Sequence, residues 1–173
     1  TYTGKTTVSG GVLELLSATA SINSSQWVQV DAGAVLSVAG VTGGYSQNGN
    51  TGTRAISGSG TLDGPITVGG LVTLKPGTTS NSVDISTAGD GLGIFTFTGD
   101  LTLNGGATTT TPRTLLQLGG ASGNTADPTI SANVLAFGSM VTGQHDIISV
   151  GGTLNLDSGS LIQVALNSYN PVY

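Results

Sequence analysis

One short phrase recurs along this sequence and limits the folds open to it. Three to five residues alternate apolar with polar, a Gly-Gly or Ala-Gly pair follows, and a second short alternation closes the phrase. Thr6-Thr7-Val8-Ser9-Gly10-Gly11-Val12-Leu13-Glu14-Leu15 is the first example. Val28-Gln29-Val30-Asp31-Ala32-Gly33-Ala34-Val35-Leu36-Ser37-Val38 repeats it, and so does Ile66-Thr67-Val68-Gly69-Gly70-Leu71-Val72-Thr73-Leu74. Leu101-Thr102-Leu103-Asn104-Gly105-Gly106-Ala107 begins it again. Ile148-Ser149-Val150-Gly151-Gly152-Thr153-Leu154-Asn155-Leu156, continued by Gly159 to Val164, completes the set. Apolar residues at i and i+2 share one face of a strand. Thr and Ser fall on the other face, which is expected to be solvated. Gly and Asn at the corners tolerate positive φ at low steric cost.

A Gly-Gly pair can close a type I′ hairpin, so an antiparallel meander has to be weighed. The strands are very short, however, and the phrase returns every roughly 20 to 40 residues, the spacing of stacked repeats. Aromatic cross-strand pairs that would steady isolated hairpins are few. The expected fold is all-β: a parallel β-helix, or β-solenoid, in which each short strand gains two neighbours and like residues stack in ladders. The residues expected to point inward are Leu13, Leu15, Val28, Val30, Leu36, Val38, Ile66, Val68, Leu74, Leu101, Leu103, Leu116, Leu118, Ile148, Val150, Leu154, Leu156 and Val164.

Composition supports this and removes other classes. Of 173 residues, 29 are Gly, 26 Thr and 19 Ser, while charged residues are 8% and aromatics 5%. One Glu and two Lys cannot furnish ordinary helices. Four Lys and Arg with a net charge of -5 exclude a nucleic-acid binder. No apolar run approaches the length of a membrane-spanning helix. With no Cys there are neither disulfides nor thiolate metal sites. The sequence begins at Thr1 without a basic and apolar leader, so it is expected to be a mature portion or fragment of a secreted protein. Residues 1–173 are expected to form a single domain. Three stretches break the rhythm and are expected to be loop excursions: Thr42 to Thr53, Lys75 to Gly93 and Gly119 to Pro128. Ser17 to Ser25 has weak helical character and is expected to cover the first coil.

Thr1-Tyr2-Thr3-Gly4-Lys5-Thr6-Thr7-Val8-Ser9-Gly10-Gly11-Val12-Leu13-Glu14-Leu15 resembles the autotransporter-associated β-strand repeat, YTG-x-TTV-x-x-GTL-x-L, with Val12 in place of the usual Thr. Gly58-Ser59-Gly60-Thr61-Leu62-Asp63-Gly64-Pro65-Ile66-Thr67-Val68, followed by Leu74-Lys75-Pro76-Gly77, is similar to a second phrase of the same proteins. His145 to Val150, through Leu161 to Leu166, resembles the last coils of such passenger regions. The resemblance implies a right-handed parallel β-helix, secreted or displayed on a bacterial cell surface. It brings no catalytic residue, because the repeat has none, and the membrane barrel that ends true autotransporters is not among these residues.

The residues that could carry chemistry are few. Gly4-Lys5-Thr6 echoes the end of a phosphate-binding loop but lacks its earlier Gly and strand, so Lys5 is expected to be a solvated side chain. His145-Asp146 is the one pair that could be oriented for base work, and no Ser sits in a nucleophile elbow; an exposed turn is expected there. The nine acids are Glu14, Asp31, Asp63, Asp84, Asp90, Asp100, Asp127, Asp146 and Asp157. A polysaccharide-cleaving enzyme needs two or three on one face of adjacent coils, whereas these are scattered beside Gly. Asp84, Asp90 and Asp100 flank an irregular loop that could hold calcium, though the calcium-loop patterns are missing. Tyr2, Trp27, Tyr45, Tyr169 and Tyr173 could stack on sugars, but Trp27 is expected to be a packing residue.

The expectation is therefore a protein without catalytic, metal or cofactor site, acting as an extracellular scaffold, adhesive or fibre subunit. The alternative is a carbohydrate-binding or polysaccharide-cleaving β-helix. Self-association, head to tail, is the expected partnership, with surface glycans as a second. The first and last eight residues carry one charge, Lys5, and uncapped sheet ends with little charge favour stacking.

Overall fold

The first phrase becomes β1 (Lys5–Val8) and β2 (Val12–Glu14), and the second becomes β3 (Trp27–Val30) and β4 (Val35–Ser37). β5 (Tyr45–Gly58), β6 (Thr61–Asp63), β7 (Ile66–Pro76), β8 (Ile94–Phe97) and β9 (Leu101–Leu103) follow. The remainder are β10 (Arg113–Gly119), β11 (Pro128–Ser131), β12 (Val134–Phe137), β13 (Ile147–Val150), β14 (Leu154–Leu156) and β15 (Leu161–Asn167). These come from a computed structural model of the chain that describes residues 2–77, 93–104, 113–119, 128–131, 134–137, 147–157 and 160–167. No helix occurs among the described residues, and so none long and apolar enough to cross a membrane.

The strands form two sheets. One runs β1-β3-β5-β7-β10-β15, with β9 joined to β7 and β14 to β9; the other runs β11-β12-β13-β8-β6-β4-β2. Up to β9 the chain alternates between the two sheets, and each strand pairs in parallel with one met later, after a passage through the other sheet. β5 and β7 pair twice, 45–49 with 66–70 and 54–58 with 72–76, with an irregularity between Gly49 and Arg54. This order is compatible with a β-helix. Two pairs depart from the all-parallel expectation: β11 with β12 and β12 with β13 are antiparallel.

Register sets the interior. On the second sheet Leu13, Leu36, Leu62, Phe97 and Val150 stand in one column. Leu36, Leu62 and Phe97 are fully buried, and Leu13 packs partly against them. On the first sheet Thr6, Val28, Ile56 and Leu74 are partners, and so are Tyr45, Ile66, Leu101 and Leu154. Each fully buried aliphatic contributes about 1.5–3 kcal/mol of transfer free energy. Because neighbouring strands lie about 4.8 Å apart, some corners have no room for a side chain, although Gly10, Gly11 and Gly33 face open space. At Gly58 (φ 119°) a Cβ would collide with the Val30 carbonyl oxygen. That oxygen already accepts bonds from the Ser59 and Gly60 amides at 3.0 Å each.

The interior is not purely apolar. Tyr45 donates its hydroxyl to Gln47 Oε1, and Gln47 Nε2 donates to the Ser25 carbonyl at 2.8 Å. Tyr45 and Gln47 are buried at 2% and 0% exposure. Burial pushes the Tyr45 phenol well up from its usual range, against the opposing pull of the Arg54 charge. The Thr6 and Ser25 hydroxyls meet at 2.8 Å nearby.

Several expectations need correction. The stretch Thr42 to Thr53 is not an excursion: from Tyr45 it is strand, because its backbone pairs with β7 although its side chains are polar. Lys75 and Pro76 belong to β7; residues 78–92 and 120–127 lie outside the described ones. Ser17 to Ser25 holds no helix but two turns, closed by Ala20 N to Ser17 O and Ser25 N to Ile22 O, each 2.9 Å. Its serines favour this: Ser17 and Ser21 Oγ accept from the Thr19 and Asn23 amides and so compete with helix bonds. Leu156, expected inside, is 52% exposed because β14 is the last strand of the β7-β9-β14 path. The side chains of Leu116, Leu118 and Val164 lie outside what is described.

The column predicts a sharp contrast in chemical denaturation. Leu62→Ala should lower stability by about 2–5 kcal/mol through the cavity it leaves. Val12→Ser, at a side chain 66% exposed, should stay within about 0.5 kcal/mol of the parent. Equal losses at the two sites would contradict the assigned register.

Candidate functional site

Polar side chains with chemical potential occur in two places among the described residues. The first is the outer side of β6 and its neighbours. Asp63 stands in register with Ser37 and Glu14. Its Oδ2 accepts the Ser37 hydroxyl at 2.9 Å and its Oδ1 the Thr98 hydroxyl at 2.7 Å. Thr98 Oγ1 in turn accepts the Gly64 amide at 3.2 Å. The Thr98 bond first, and the Ser37 bond second, hold the Asp63 carboxyl below its usual range, against a weaker opposing effect of burial. A glycosidase general acid needs the opposite shift.

Two of the four remaining described acids are also engaged in the frame, and two are exposed. Asp100 Oδ1 accepts the Thr153 amide at 2.7 Å, bridging β9 to β14. Asp31 Oδ1 accepts from Gln29 Nε2 at 2.5 Å. Asp157 is exposed, and its backbone closes a turn with Ser160 at 3.0 Å. Glu14 is exposed at the edge of its sheet. Among the described residues no three of His, Cys, Asp and Glu gather where a metal could sit. Asp84, Asp90, Asp127, and the His145-Asp146 pair, lie outside them.

The second place is the outer side of the first sheet, and there the sequence misleads. This side was expected to be solvated, yet Trp27, Gln29, Ala55, Ser57, Thr73 and Lys75 are all at most 5% exposed. Register explains the assembly: Lys5, Trp27, Ala55 and Thr73 are successive partners, and so are Gln29, Ser57 and Lys75. Trp27 Nε1 donates to Ser57 Oγ at 2.6 Å. Lys5 Nζ and Lys75 Nζ lie 5.4 and 5.9 Å from the Trp27 ring centroid, within cation–π range. Lys5 Nζ also donates to Gln29 Oε1 at 2.7 Å. Lys5 is thus a partly buried cross-strand contact and not the solvated side chain expected.

Compared with known proteins, the chain matches no family model, no curated protein and no solved structure.

Of the described aromatics considered for sugar stacking, Trp27 and Tyr45 are buried at 2% exposure each, and Tyr2 presents a surface, at 60%. Tyr169 and Tyr173 lie outside the described residues. The Trp27 cluster was missed because its members are far apart in sequence. One signal could have found it: pairing β1, β3, β5 and β7 in order brings both lysines of the chain to its one tryptophan.

Asp63 gives a pH prediction. A carboxyl whose folded pKa is lowered adds stability above its unfolded value, 3.8, and loses it as pH falls through the folded value. Asp63→Asn should therefore lower Tm at neutral pH, and the gap to the parent should narrow below pH 3.8. A gap unchanged between neutral and strongly acidic solution would refute this role.

Proposed function

We propose that the chain is a non-enzymatic, extracellular structural or adhesive protein. In this reading it is a right-handed parallel β-helix of the kind the autotransporter-associated repeat implies, working on a bacterial surface or in its matrix. One observation carries the reading: several of the polar groups that could do chemistry among the described residues are engaged between stacked strands. Asp63 is bonded to Ser37 and Thr98, Asp100 to Thr153, and Trp27 to Ser57. Groups held this way stiffen a rod and are poorly placed to turn over a substrate, which must find polar groups free to change partners.

Self-assembly fits the same reading. β1 and β2 stand at the edges of their sheets, each with a strand paired on one side only among the described residues, the arrangement that invites addition of another strand. Beside that edge Val12 and Leu16 are exposed at 66% and 76%. A second copy stacking there would extend both sheets, and a head-to-tail contact that does not close yields a filament.

Sedimentation of the pure chain over a range of concentrations, with electron microscopy, tests this. The expected outcome is concentration-dependent association into elongated particles. The double variant Val12→Lys with Leu16→Lys should shift them toward monomer. A parent chain that stays monomeric at the highest concentration, or release of sugar from a polysaccharide by the parent, would sink the proposal.

A further inference from the structure

The outer side of β1 and β3 holds an amine, a carboxamide and a carboxyl in sequence. Lys5 Nζ donates to Gln29 Oε1 at 2.7 Å, and Gln29 Nε2 donates to Asp31 Oδ1 at 2.5 Å. The orientation of the carboxamide follows from its partners: an ammonium can only donate and a carboxylate only accepts, so the oxygen faces Lys5 and the nitrogen faces Asp31. Gln29 is 5% exposed, Lys5 and Asp31 are partly buried, and the Trp27 indole lies 5.4 Å from Lys5 Nζ at 2% exposure. A nucleophile, an acyl carbon and a proton carrier at the leaving nitrogen thus lie together where water has little access.

We propose that Lys5 and Gln29 are a self-catalysed cross-linking site, at which an isopeptide bond joins β1 to β3 with loss of ammonia. Lys5 Nζ gives one proton to water, which the departing ammonia later recovers as ammonium, then attacks Gln29 Cδ, and the C=O electrons move onto Oε1. As they return, the Cδ–Nε2 bond breaks. Asp31 carries a proton released by Nζ to Nε2, acting as general base and then general acid. An ammonium side chain and a carboxamide become one secondary amide and one ammonium ion, so atoms and charge balance with no outside reagent. Proximity supplies much of the rate: a fixed amine beside its acyl carbon reacts as if at very high concentration. Burial of Gln29 disfavours the competing attack by water. The product ties the end strand of the first sheet to its neighbour, where fraying would begin.

Mass spectrometry of the folded full-length chain tests the site. The intact mass should be lower than the sequence mass by one ammonia, and proteolysis should release a branched peptide joining Lys5 to Gln29. Lys5→Met should keep its sequence mass. Asp31→Asn should lose ammonia more slowly by about 10²-fold or more, as expected for removal of a general acid. A folded parent that holds its sequence mass through prolonged incubation at neutral pH overturns the proposal. So does ammonia loss that maps to Asn48-Gly49 or Asn104-Gly105, where cyclisation of Asn would give the same mass change. Unchanged kinetics in Asp31→Asn would likewise overturn the self-catalysed mechanism.

Discussion

The structure depends on parallel backbone hydrogen bonding between strands separated by a full passage of the chain. A three-residue strand such as β4 cannot persist alone, but between β2 and β6 it bonds on both sides. Corner amides continue the ladder beyond the strands: Asp31 N reaches Val8 O, and Val35 N reaches Gly11 O, each at 2.9 Å. Backbone therefore lies against backbone at the turns as well as along the sides. Part of the glycine content follows from this, since a Cβ on Gly99 would come within 2.6 Å of the Gly64 carbonyl carbon, while Gly11, Gly33 and Gly43 face open space and serve by their positive φ.

Side chains are then selected by column. Inside, Leu36, Leu62 and Phe97 succeed one another on matching rungs of the second sheet, and Phe95 meets Phe97 at a centroid distance of 5.1 Å with the rings tilted. Outside, hydroxyl and carboxylate neighbours on successive rungs bond to each other, as Ser37, Asp63 and Thr98 do. Each such contact is modest, but it links segments of chain more than twenty residues apart in sequence, so cohesion spreads along the stack.

The periodic apolar residues made the strands legible: β1 to β4 and β9 fall where the phrase predicts, and most of the expected inward residues are buried. What failed to show has specific causes. The polar stretch after Gly44 looks like a loop because its strand character comes from pairing with β7, a tertiary effect that local propensity does not contain. The buried outer side of the first sheet was hidden for a related reason. Trp27, Lys5 and Lys75 become neighbours only once the register is known. The antiparallel β11 and β12 carry no turn signal distinct from the parallel corners. Leu156 has the right periodicity for the interior and lacks only a described neighbour on its far side.

A stack of nearly equivalent rungs also has a phase problem. One Leu or Val fits above another almost as well as the next, so a slip by one rung would cost an apolar column little. The Tyr45, Gln47 and Ser25 chain removes that freedom. A slipped register would carry Tyr45 along with Gln47 but take Gln47 Nε2 away from the Ser25 carbonyl, a penalty of about 1–3 kcal/mol for the stranded donor. A few buried polar atoms near the start of the stack thus act as an index mark, from which every later rung inherits its position.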